Sequence, residues 1–153
     1  MAAAQDPPEK GADRPHPPAF GAAIPTGLGL NLLVVDVDRA ARWQAEVLGA
    51  RVLYWEEHFA VLSAAGATWF LHSDWSYRGH PLRGAVDGVE ARGAGAEFRL
   101  YGIDPDAAEA RAVAAGATVL SAATDKPHGL REAHLVDPEG YVWAPCVPIP
   151  TPG

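Results

Sequence analysis

Apolar positions run in two different periods along this chain, and the period changes at the same kind of landmark twice. Leu30-Asn31-Leu32-Leu33-Val34-Val35 is an apolar run of strand length. It stops at Asp36-Val37-Asp38, whose carboxylates can accept from the free amides of a helix start. Ala40, Trp43, Val47 and Leu48 then recur at helical spacing, and Gly49 ends that helix, where a positive φ is cheap only without a β-carbon. Val52 to Trp55 and Phe59 to Ser63 predict a hairpin around Glu56-Glu57-His58, and Ala67 to His72 predicts a further strand after the turn at Ala64-Ala65-Gly66.

Past the middle of the chain the same alternation resumes. Glu97-Phe98-Arg99-Leu100-Tyr101 predicts a strand. Asp104-Pro105-Asp106 opens a helix with Pro in its first turn, with Asp106 and Glu109 spaced as a capping box, and Gly116 closes it. Thr118 to Ser121, Arg131 to Val136 and Tyr141 to Cys146 supply three more strands, with Asp137-Pro138-Glu139-Gly140 as the turn of the last hairpin. From Pro145 onward, with Pro148, Pro150 and Pro152, the tail is expected to leave the ladder soon.

The two stretches are in register. Val35-Asp36-Val37-Asp38-Arg39-Ala40 followed by Leu48-Gly49-Ala50-Arg51-Val52-Leu53 reappears, 68 residues on (35 to 103), as Ile103-Asp104-Pro105-Asp106-Ala107-Ala108 followed by Ala115-Gly116-Ala117-Thr118-Val119-Leu120. A solenoid needs at least about three repeats to close a core, so this period means two copies of one supersecondary unit. Two half-sheets, each with a helix on its outer side, can curl towards one another around a ligand-sized space. The expected fold is therefore α+β, two modules forming a curved, eight-stranded, open barrel-like sheet around a central cavity. The expected boundaries are an Ala/Pro-rich disordered arm over 1–25, one domain over 26–147 and a tail over 148–153. Within the domain, module 1 spans 27–75, a linker 76–95 and module 2 96–147.

Composition narrows what such a domain can do. A chain of 153 residues with 48% hydrophobic content buries one core. No run of about 18 apolar residues occurs, so no membrane span is expected, and the arm lacks the apolar run of a secretory signal. The lone Cys146 excludes an internal disulfide and leaves no thiolate cluster for zinc, which suits the cytoplasm. A net charge of −7 argues against nucleic acid, whose binding is driven by Lys and Arg displacing counterions.

With two βαβββ units, the Asp-x-Asp plus Leu-Gly-Ala pattern at Asp36 to Ala50, and Lys126-Pro127-His128-Gly129-Leu130-Arg131-Glu132 leading into Asp137-Pro138-Glu139-Gly140-Tyr141-Val142-Trp143, the chain resembles the vicinal oxygen chelate superfamily over roughly Gly27 to Val147. That superfamily holds glyoxalases, extradiol dioxygenases and bleomycin-resistance proteins, and its folds host many activities. The resemblance implies four inward-facing metal ligands, two on each half. Carried over by position, they fall on Gly29, Glu97, Ala144 and either Phe70 or, with a two-residue slip on the same face, His72. A catalytic divalent site generally needs about three protein ligands plus an open position, so the expectation here is no metal and no cofactor. Of the other histidines, His16 lies in the arm, His58 and His80 in turns, His128 between Pro127 and Gly129, and His134 in a strand as a wall residue.

Aromatic surface stands where donors are missing. Trp69 and Trp143 occupy equivalent places in the two halves, each one residue before a ligand position, so alternation puts Phe70 and Ala144 on the opposite face. The candidate ligand-binding set is Phe70, His72, Glu97 and Ala144, with Trp55 and Trp75, and beside them Tyr77, near the rim. Glu97 has two readings: a carboxylate paired with Arg99 or Arg131, or a buried acid answering a cationic or donor-rich ligand. The resemblance to bleomycin-resistance proteins implies a metal-free protein, often a homodimer, that sequesters an aromatic or cationic small molecule, a function of the antibiotic-resistance kind. The alternative is a metal-dependent or Glu97-based lyase, isomerase or dioxygenase.

Overall fold

The structure is a computed structural model that describes residues 21–24 and 26–150. Most of the expected arm, and residues 151–153 of the tail, lie outside the described residues. Module 1 comprises β1 (Asn31–Val34), α1 (Val37–Leu48), β2 (Arg51–Glu56), β3 (Phe59–Ala64) and β4 (Ala67–Ser73). A 3₁₀ turn (Asp74–Tyr77) and a short helix α2 (Pro81–Val86) follow. Module 2 comprises β5 (Glu97–Tyr101), α3 (Pro105–Ala114), β6 (Thr118–Asp125), β7 (Leu130–Val136) and β8 (Val142–Pro148). The fold is α+β, with eight strands in two four-stranded mixed sheets and no closed barrel. The orders are β1-β4-β3-β2 and β5-β8-β7-β6, with the first strand of each module parallel to the last.

The helix ends follow from local chemistry. Asp36 caps α1 by accepting from the Arg39 amide at 3.0 Å, and Gly49 ends it at φ 69°. In α3 the cap is Asp104, which accepts from the amides of Asp106 and Ala107. The expected pairing of Asp106 with Glu109 is not the cap that forms. The Glu109 carboxylate instead accepts from the Ala123 amide at 2.6 Å, because β6 runs on to Asp125 and brings that amide within reach. β8 likewise continues through Pro145 to Pro148, although the ladder to β7 is interrupted between Trp143 and Cys146, where Pro145 has no N–H to give.

Strand alternation sends Leu32, Val34, Ala60, Leu62, Trp69 and Leu71 under α1, and Leu100, Ala133, Leu135 and Trp143 under α3. Each large aliphatic side chain buried this way contributes about 1.5–3 kcal/mol. The two helix-bearing faces share one core. The Trp69 and Trp143 rings meet at 5.2 Å, and Arg111 of α3 donates to the Val47 carbonyl in the last turn of α1 at 3.0 Å. Fully buried Gln44 links the modules. Its Oε1 accepts from Trp69 Nε1 at 2.8 Å and its Nε2 donates to Asp137 Oδ2 at 3.3 Å, the oxygen that also accepts from Trp143 Nε1 at 2.9 Å.

The other face of each sheet projects away from that junction. Phe70 and His72 alternate with Trp69 and Leu71, and Glu97 and Ala144 stand opposite in direction to Phe98 and Trp143. Between the modules the chain is pinned by Arg92, whose guanidinium holds both oxygens of Asp74 at 2.6 and 2.8 Å and the Leu33 carbonyl at 3.2 Å. At Gly140 (φ 85°) a β-carbon would lie 2.2 Å from the Glu90 carbonyl oxygen, so glycine is what lets this linker pass across the last hairpin turn.

Candidate functional site

The open face of module 1 is aromatic. Register places Phe59 beside His72 and Val61 beside Phe70, and β1 adds Leu33 next to His72. The Phe59 and Phe70 rings stack at 5.9 Å, Phe59 and His72 lie at 4.8 Å, His72 and Tyr77 at 5.0 Å, and Tyr77 and His80 at 4.9 Å. The rings of Phe59, Phe70, His72 and Tyr77 are half-buried and form a continuous path from the sheet to the 3₁₀ turn, with exposed His80 at its end. Burial pushes the His72 pKa below the ordinary imidazole value, so the ring is neutral and presents an aromatic face at neutral pH.

Module 2 presents charge on the corresponding face. Arg99 Nη1 donates to Glu97 at 2.7 Å, and Nη2 forms an ion pair with Glu132, whose side chain is only 5% exposed. His134 Nε2 lies 3.1 Å from Glu97 and 3.9 Å from Glu132, and His128 Nε2 lies 3.2 Å from Glu132. Burial alone would raise the Glu132 pKa. The hydrogen bond with His128 and the charge of Arg99 outweigh it and hold the carboxyl below its usual value. A cavity of about 640 Å³ opens at one end of this face, between the linker backbone at Gly93 to Ala96 and the side chains of Glu97, Leu120, His134, Val136 and Val142.

The candidate residues therefore fall into separate groups. Phe70 and His72 are together on module 1, and Glu97 and fully buried Ala144 are together on module 2. Trp55 packs against the core on the helix-bearing side of its sheet. Trp75, 56% exposed, stacks on His58 at 4.3 Å and carries Arg78 at 3.9 Å. Of the two readings of Glu97, the structure displays the ion pair, with Arg99 rather than Arg131 as partner. Arg131 turns to Asp106 and Asp125 instead.

Sequence reasoning passed over Glu132 and Phe59, placed Tyr77 only at the rim, and took Arg99 only as a partner of Glu97 and His134 only as a wall residue. The signal for Glu132 was present: Glu97-x-Arg99 and Glu132-x-His134 put polar side chains at alternate positions of two predicted strands, which marks one polar face. Tyr77, expected near the rim, reaches His72 by way of the 3₁₀ turn.

The donor set does not fit a divalent metal. Gly29, Ala144 and Phe70 carry no ligand atom, and His72 and Glu97 are fewer donors than the about three a catalytic divalent ion takes. Among the described residues no group of three or more His, Cys, Asp or Glu is placed to hold a metal ion. No helix among them is long and apolar enough to cross a membrane.

Residues 27–144 match a family described as the glyoxalase-like domain. No curated protein matches the chain. Among solved structures it is similar to a glyoxalase-related enzyme from Fulvimarina pelagi, at 20% identity and TM-score 0.63 over 80% of this chain and 88% of that one. It is also similar to TioX from Micromonospora sp. ML1, at 24% identity and TM-score 0.59 over 84% and 100%. A third likeness is to a glyoxalase/bleomycin resistance protein/dioxygenase family enzyme from Burkholderia phytofirmans PsJN, at 20% identity and TM-score 0.62 over 78% and 96%. At these identities the likeness concerns the fold.

Proposed function

The chain belongs to the glyoxalase-like domain family, within the glyoxalase/bleomycin resistance/dioxygenase superfamily, and from that premise we propose that it is a metal-free binding protein of the bleomycin-resistance type. It sequesters a planar aromatic small molecule, neutral or cationic, in an antibiotic-resistance role, and it works in the cytoplasm, where the thiol of buried Cys146 stays reduced. The observation that carries this reading is the run of rings through Phe59, Phe70, His72 and Tyr77 on the open face of module 1. A planar ligand laid against such a surface gains about 0.5–1.5 kcal/mol per aromatic contact beyond its area burial.

The open faces project away from the module junction, so a pocket enclosed by one of each kind needs a second chain. The protein acts as a homodimer in which the aromatic face of one protomer is closed by the charged face of its partner. Stacking then holds the ring system, and the Glu97 carboxylate, held by Arg99 and His134, accepts from donor groups at its edge. A metal-dependent lyase, isomerase or dioxygenase is disfavoured by the donor set, and Glu97 as a lone base is disfavoured by its pairing with Arg99.

The test is a screen of planar neutral and cationic compounds by tryptophan fluorescence, repeated on the best hit with Phe70→Ala and Glu97→Gln, with light scattering at micromolar concentration. Phe70→Ala is expected to weaken binding about threefold to tenfold, the equivalent of the stacking energy. Binding that changes by less than about twofold in both variants, or a species of 16.1 kDa alone, contradicts the proposal.

A further inference from the structure

The charged face of module 2 gathers the donor types of a metal site around something that is not a metal. We propose that the Arg99 guanidinium is the resident cation of this face, standing where a divalent ion would otherwise bind and keeping the protein metal-free. Register places Arg99 directly beside Ala144 on β8. The pairing of Leu135 with Trp143 puts His134 beside Ala144 from the β7 side. A methyl side chain at that point leaves the space above the strand to be filled from both flanks. Ala144 is accordingly 0% exposed although it belongs to an open face.

Two carboxylates and two imidazoles then surround one guanidinium. Arg99 spans Glu97 and Glu132, the second oxygen of Glu97 meets His134 Nε2 at 3.1 Å, and His128 Nε2 meets Glu132 at 3.2 Å. A carboxylate as buried as Glu132 needs a permanent counter-charge. Arginine supplies one that does not deprotonate, is weakly hydrated, and reaches two carboxylates with one planar fork. The oxygen lone pairs that Arg99 engages are those a metal would need at about 2.0–2.2 Å. The arginine therefore excludes the ion by charge and by position. This deepens the metal-free reading above and rests on it for its meaning, but metal uptake is read independently of any ligand. Loss of the Phe70 effect and failure of the Arg99 test are thus separate results.

The experiment uses the full chain as wild type, Arg99→Ala, Arg99→Lys, and Arg99→Ala combined with Glu97→Gln. Each is equilibrated with cobalt(II) or zinc(II), desalted, and assayed by elemental analysis and by the visible absorption of cobalt. Wild type and Arg99→Lys are expected to stay metal-free, Arg99→Ala to take up about one ion per chain with tetrahedral cobalt bands, and the added Glu97→Gln to weaken uptake about tenfold or more. Arg99→Ala is also refolded with and without zinc, because Glu132 loses its partner in this variant. A chain that folds only with zinc counts as support. Near-stoichiometric metal on the wild type, metal on Arg99→Lys equal to that on Arg99→Ala, an Arg99→Ala protein that stays metal-free whether folded or not, or uptake that Glu97→Gln leaves unchanged would each overturn the assignment.

Discussion

Gln44→Leu is expected to weaken the junction between the modules, and the size of the effect follows from the polar chain that runs through it. Trp69 Nε1 and Trp143 Nε1 are both donors and nothing else. Gln44 is the one side chain that accepts from the first and donates to Asp137, which accepts from the second. Leucine has nearly the same reach but neither function. It leaves the buried Trp69 N–H without an acceptor, at about 1–3 kcal/mol, and removes a long bond to Asp137 at about 0.5 kcal/mol. Removal of the amide's own desolvation returns part of this, so a net loss of about 1–3 kcal/mol is expected. For a domain of this size that is a fall in Tm of about 2–12 °C.

Urea titration followed by tryptophan fluorescence measures it, and a double-mutant cycle with Trp69→Phe isolates it. Phenylalanine has no N–H to orphan, so Gln44→Leu should cost at least about 1 kcal/mol less in that background. Asp137 gives a second readout. Burial pushes its carboxyl above the usual range against the hydrogen bonds from Trp143, Tyr141, Glu139 and Gln44, and losing the Gln44 donor should move it higher still. A change below about 0.5 kcal/mol, or additivity with Trp69→Phe within about 0.3–0.5 kcal/mol, refutes the reasoning.

His72 carries a pH dependence. Its folded pKa is lowered from 6.5 by burial, so its contribution to stability is whole above 6.5 and is lost as pH falls through the folded value. Urea midpoints measured from pH 8 down to pH 5 should therefore decline more steeply for wild type than for His72→Gln, and parallel curves would count against the burial of that ring. Gly140→Ala should cost more than the about 1–2 kcal/mol of a left-handed alanine, because its β-carbon also meets the Glu90 carbonyl oxygen. Gly66→Ala, at φ 77° with nothing within 4 Å, should cost only the conformational part. Thermal melts that rank the two alanine variants equally would show that the linker yields freely.

The order of elements was legible in the residues because each half states its own period, starts and stops. Asp36 and Asp104 cap, Gly49 terminates, and the apolar spacing switches from strand to helix between them. Pairing Gly66 with Gly140 was enough to place Trp69 and Trp143 as equivalents, and their rings do meet. Alternation then separated Phe70 and Ala144 from those tryptophans without any coordinates. What alternation leaves open is which way each sheet turns in space. Gln44, read along the sequence, is one polar residue on an apolar helical face; only the packed helices make it the bridge between two indoles and a carboxylate. Glu97 is likewise an acid of undetermined partner until β5 and β7 flank the same small Ala144 and bring Arg99, Glu132 and His134 together across it. Local propensity and period are written in neighbouring residues, so the chain alone determined the modules. A contact between residues 33 positions apart depends on how strands assemble within a module and one between residues 93 apart on how the modules dock, and together these decided which face meets core, which meets solvent, and what answers each buried charge.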